Sequence, residues 1–168
     1  MKSKTPVLLS YAFRPFFLVN GIFAILVMLI WIGTLHGAGA AVFTPLWHSH
    51  ELLLGFALAA VAGFSLTAVA NWTGRPALNG APLAWLLGFW LLGRLAMMLV
   101  GRLPPNLTFL LDMLFPVLLC LLLGGEIISA RNQRNYPLVA IVAVIALFNI
   151  LYHLGAGLWM PGGDRLAI

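Results

Sequence analysis

Charge is what this sequence has least of. Of its 168 residues only 8% are charged, and four acids stand against nine lysines and arginines. Soluble domains carry roughly 25% charged side chains. Here 62% of residues are hydrophobic and the mean hydropathy is +1.05. Those values exclude a water-soluble globule. They predict an all-α, polytopic transmembrane helix bundle of about five spans, in which the lipid bilayer replaces a conventional core. Cysteine is nearly absent: the single Cys120 lies in an apolar run, so an internal disulfide and a paired-cysteine metal motif are both excluded. No basic run or basic face is present, so the net charge of +5 is not a nucleic-acid footprint. In a membrane protein such an excess sits in loops and sets orientation. Glycine-rich phosphate loops are missing. Ser10, Ser65 and Ser129 lack a base-and-acid constellation, and Ser49 stands beside histidines that regular helix geometry points elsewhere. No electron-donor site is recognisable, and the sequence leaves enzymatic activity open.

What is present is a series of long apolar runs separated by short polar breaks. Spans are expected at about 16–35, 44–70, 81–100, 107–129 and 137–159, each near the roughly 20 residues needed to cross hydrocarbon. The first run is longer than the apolar core of a signal peptide, although Ala38-Gly39-Ala40 resembles a cleavage site. Arg14 and its aromatic neighbours suit an anchor at headgroup level. Thr44 is placed to cap the second span with Pro45 in its first turn, Gly74 to stop it, and Pro116 to kink the fourth. If odd-numbered spans run outward, Lys2, Lys4, Arg14, Arg75, Arg131 and Arg134 face inward, and only Arg102 and Arg165 face outward. That imbalance predicts a cytoplasmic N-terminus.

The polar side chains within these spans are not evenly spread. Thr44-Pro45-Leu46-Trp47-His48-Ser49-His50-Glu51 opens the second span with two of the four histidines and one of the four acids. His36, His48, His50, Glu51, Arg94, Asp112 and His153 all fall in the half of the bundle predicted to face outward, while the other half has only Glu126 near its rim. Ionisable groups inside a bilayer are costly and have a task or a partner. His48, Glu51, Gly55, Ala59, Ala62, Gly63 and Leu66 share one face of a regular helix. His48 and His50 lie about 200° apart, so they serve one metal only where the helix unwinds. His48 is therefore the first candidate for an inward site, and His50 for a second site or a neighbouring helix. Gly55, Ala59 and Gly63 form a small-residue seam that admits a second backbone or a flat macrocycle. His153, one turn after Asn149, is a further candidate ligand. Glu51 is a candidate metal ligand, a partner orienting a ligand histidine, or a proton carrier. Arg94 and Asp112 match in depth on a hairpin, as a buried ion pair or with Arg94 meeting an anionic ligand such as a haem propionate. His36 reads as an exposed loop residue, and the methionines as packing.

The words Phe13-Arg14-Pro15-Phe16-Phe17, Pro45-Leu46-Trp47-His48-Ser49-His50-Glu51, Gly55-Phe56, Ala62-Gly63-Phe64, Leu66-Thr67-Ala68-Val69, Asn71-Trp72-Thr73-Gly74-Arg75-Pro76, Gly80-Ala81-Pro82 and Gly93-Arg94 occur in the order and spacing of the NnrS family. The sequence resembles that family over about residues 8–168, most specifically from Trp47 to Arg94. The resemblance implies a bacterial inner-membrane protein containing haem and copper, tied to nitric oxide metabolism and nitrosative-stress resistance, with nitric oxide or iron-nitrosyl species as partners. Members are more than twice this length, so the chain is expected to be the N-terminal part of a longer protein. It is expected to form one helical domain with possible helix–helix association. His48, His50, His153 and Arg94 are the expected cofactor contacts, and His48, His50, His153 and Glu51 the expected metal ligands. Two other readings stand beside this one. They are a membrane transporter component for a metal or small anion, and a structural or sensory module.

Overall fold

The computed structural model of the chain describes residues 6–38 and 42–156. Among these residues six α-helices make up five spans: α1 (Phe13–Leu35), α2 (Pro45–His50) running through a π-helical segment (Glu51–Ala57) into α3 (Leu58–Thr73), α4 (Gly80–Met98), α5 (Pro105–Ser129) and α6 (Tyr136–Ala156). All five spans are long and apolar enough to cross a membrane. This is a multi-pass, all-helical membrane protein. The expected spans are present with ends moved by a few residues. The stretch from 157 to the expected end of the fifth span lies outside the described residues.

Local chemistry explains the boundaries. The Thr44 hydroxyl accepts from the backbone N–H of Trp47 at 3.2 Å, and Pro45 sits where its missing donor costs nothing. Gly74 ends α3 in the left-handed region at φ 70°, and its N–H bonds the Ala70 carbonyl. Pro116 lies inside α5, which continues past it. Arg14 lies over the Tyr11 and Phe13 rings, in keeping with an anchoring role.

α5 packs against α3, α4 and α6, and α1 lies along α3. Buried apolar side chains such as Phe16, Leu58, Leu83, Trp90 and Leu119 fill the bundle. Long apolar side chains also cover its outside, Leu121 and Leu147 among them, as a surface solvated by lipid requires. The small-residue seam is filled by aromatic rings from α1. A Cβ on Gly55 would lie 2.5 Å from the Phe23 ring, and one on Gly63 2.9 Å from the Phe17 ring. Gly93 brings α4 close to α5, since a Cβ there would lie 3.2 Å from the Asp112 Cα. That approach sets the level at which the two helices exchange charge.

Candidate metal centre

Four stretches of the bundle deliver the polar side chains of the cluster: the α2–π junction, α4, α5 and α6. His50 ends α2, Glu51 begins the π segment, Arg94 lies one turn from the end of α4, Asp112 lies in the second turn of α5, and Asn149 and His153 lie one turn apart on α6. His50, Glu51, Arg94, Asp112 and Asn149 are all buried, and His153 is nearly so. Such groups survive in a low-dielectric interior only when they satisfy one another.

The bonds form one network. Arg94 donates from one terminal nitrogen to Glu51 Oε1 at 2.8 Å and from the other to Asp112 Oδ1. The ion pair expected on the α4–α5 hairpin is therefore formed, and Arg94 bridges both acids. His50 Nδ1 lies 2.9 Å from Glu51 Oε1. Its Nε2 lies 3.1 Å from Asp112 Oδ2 and 2.9 Å from Asn149 Oδ1. His153 Nε2 approaches the same Asp112 Oδ2 at 2.9 Å. Asn149 donates to that oxygen at 2.8 Å. The Tyr152 ring lies against both imidazoles, with centroids 4.2 Å from His50 and 5.2 Å from His153.

One donor atom each from His50, His153 and Asp112 lies within 4.8 Å of the other two. Two imidazoles and one carboxylate are a donor set that suits borderline divalent metals, zinc, iron and copper among them. Ligand bonds in such sites are about 2.0–2.2 Å, which is compatible with donors spaced about as these are. Both ring nitrogens of His50 face acceptor oxygens, so His50 donates from each and, with Arg94, balances Glu51 and Asp112; a metal ion would take the place of the Nε2 proton.

The other expected site residues divide. Glu51 joins the cluster beside His50, not on a shared face with His48 as regular helix geometry predicted. The π segment starts at Glu51, and Arg94 and the His50 ring hold the carboxylate in place. Glu51 Oε1 is taken by those two groups, while Oε2 is buried without a partner. His48 points away from the cluster and stacks on Trp31 at 4.6 Å, with its Nδ1 buried and without a hydrogen-bond partner among the described residues. His36 bonds the Ile32 carbonyl of its own helix and is exposed. Sequence reading saw Asp112 only as an ion-pair partner. Its second oxygen, where both imidazoles converge, follows only once α6 is known to pack beside α5.

The family model described as NnrS protein matches residues 7–168. The chain belongs to the NnrS family. No curated protein and no solved structure matches it. NnrS membership points to the nitric oxide response, and the resemblance names haem and copper as cofactors. The described residues fit these two groups differently. The imidazole–imidazole–carboxylate set suits a single metal ion. The Gly55–Ala59–Gly63 seam is closed to a macrocycle by Phe16, Phe17 and Phe23. Two surface grooves among the described residues, one between α3, the α3–α4 connection and α5 and one between α5 and α6, border no histidine.

Proposed function

We propose that this chain is the metal-binding membrane module of a nitric oxide response protein, holding a copper or similar transition-metal ion between His50, His153 and Asp112. One observation carries the reading: two histidines from separate helices converge on a single oxygen of a buried aspartate. Glu51 then serves as the carboxylate behind a ligand histidine, since it accepts from His50 Nδ1 while Nε2 turns to the metal. Such partners fix ring orientation and raise ligand basicity. Arg94 ties Glu51 to Asp112 and keeps both acids in register. When bound, the ion supplies an electrophilic centre able to take up nitric oxide. The haem implied by the family finds no cradle along the small-residue seam, and His48, with its Nδ1 unpartnered among the described residues, remains the free candidate for a separate ligand role.

The family resemblance supports a bacterial inner-membrane location, and the basic-residue imbalance supports a cytoplasmic N-terminus with the cluster toward the periplasm. The reading is tested by metal analysis and Cu(II) electron paramagnetic resonance on protein purified in nanodiscs, with and without nitric oxide. His50→Ala, His153→Ala and Asp112→Asn are expected to lose the metal, and Arg75→Ala to keep it. Equal metal content in all four variants overturns the assignment. Metal or small-anion flux in proteoliposomes, with no retained metal, would favour the transporter reading instead.

A further inference from the structure

We infer that the seam between α5 and α6 is a lateral entry route by which a small, uncharged, lipid-soluble molecule reaches the buried cluster from within the bilayer. This rests on the metal reading only for what lies at the end of the route. A groove of about 250 Å³ runs along the seam. Met113, Val117, Cys120 and Leu121 of α5 form one wall, and Ala143, Ala146, Leu147 and Ile150 of α6 the other. On each helix these residues recur at three- and four-residue spacing, so they make a continuous stripe. From Leu121 to Met113 the stripe is about 12 Å long at the helical rise.

The two ends differ. From Leu121 at the far end to Val117 and Leu147 midway, the lining is exposed on the lipid-facing surface. At the near end Met113 is buried, and its sulfur lies 3.2 Å from Asn149 Nδ2. Asn149 bonds both Asp112 Oδ2 and His50 Nε2. Met113 thus lines the groove and also touches the polar network. Methionine is unbranched and adaptable, so a rotamer change there opens the groove to the cluster without moving a helix. The lining carries no charge, which admits a dissolved diatomic gas such as nitric oxide and rejects ions. Ala143 and Ala146 keep the passage wide where larger side chains would close it.

Two experiments test the route, one of them independent of metal. In nanodiscs a nitroxide is placed on native Cys120, and separately at position 113 in Met113→Cys on a Cys120→Ser background. Dissolved oxygen is expected to relax both labels strongly and a nickel chelate neither. An oxygen effect at 120 that is lost at 113 overturns the route, whatever the metal content. In metal-loaded protein, Ala146→Trp, with Ala143→Phe as the second variant should the first not fold, is expected to slow nitric oxide association by about tenfold, within the range that related variants span. Metal content and the resting spectrum stay unchanged. An unchanged association rate in the folded variants overturns the route. Failure to retain metal removes the metal reading and leaves the oxygen measurement to decide.

Discussion

Trp90 donates its indole N–H to the Gly55 carbonyl at 3.0 Å, across from α4 to the π segment that carries Glu51. π turns close with longer hydrogen-bonded loops and occur mostly as single insertions near functional sites. The indole fixes a carbonyl in a stretch where the helical ladder is irregular. It also stacks edge-on against Phe23 with centroids 5.3 Å apart. Trp90→Phe keeps much of the packing and leaves the Gly55 carbonyl with one partner fewer, which costs about 1–3 kcal/mol for a buried group. Lower thermal stability in detergent, together with weaker metal retention, is the expected outcome. Wild-type retention in Trp90→Phe would separate the π segment from the metal centre.

Arg94 is shared by the two buried acids in the cluster. Removing it in Arg94→Met leaves Glu51 with His50 as its only partner in the cluster and Asp112 with His50, Asn149 and His153, and breaking a buried pair in this way costs about 3–5 kcal/mol. Arg94→Lys keeps the charge but loses the planar fork that reaches both acids. Its loss should be intermediate. Thermal unfolding of the three proteins in one detergent should rank them wild type, Lys, Met. Equal stability of Arg94→Lys and wild type would show that the fork geometry is dispensable.

The close approach of α1 to the second span predicts a sharp contrast between glycines. Gly55→Ala would push a methyl to within 2.5 Å of the Phe23 ring and 3.0 Å of the Arg94 guanidinium. Overpacking of this kind costs about 1–3 kcal/mol. Gly21, with open space around its Cβ position, should accept alanine without loss. Phe23→Leu should partly rescue Gly55→Ala by shortening the ring that is struck. Absence of rescue would place the clash on Arg94 instead, and metal retention in Gly55→Ala would then fall with stability.

Arg75 and Glu126 pair at 3.1 Å at the opposite end of the bundle, each side chain nearly half exposed at 47% and 41%. Exposed pairs contribute about 0–1 kcal/mol. Arg75→Ala should therefore leave both unfolding temperature and metal content within error of wild type. A larger loss would show that the pair braces the connection between α3 and α4, and not merely decorates the surface.

Sequence pattern carried the spans, the Thr44 cap, the Gly74 stop and the Arg94–Asp112 pair, because each depends on local chemistry or on depth along a helix. The clustering of histidines and acids toward one end followed from depth as well. What pattern could not carry was rotation. A regular helix puts Glu51 with His48, and only the π segment and the pull of Arg94 put it with His50. Nor does sequence spacing show that Phe17 and Phe23 plug the glycine seam, since that depends on which helix lies against it. The convergence of His50 and His153 on Asp112 joins residues on α2, α5 and α6, and no single-helix periodicity reports it.

That convergence has a consequence for how the chain is made. His50 and Glu51 enter the membrane long before Asn149 and His153 leave the ribosome, and until α6 arrives the early hairpins hold polar groups with an incomplete set of partners in hydrocarbon. Helices α1 to α5 must therefore wait, sheltered by the insertion machinery or by one another, for α6 to complete the network. Biogenesis of this bundle is a matter of timing as much as of hydrophobicity.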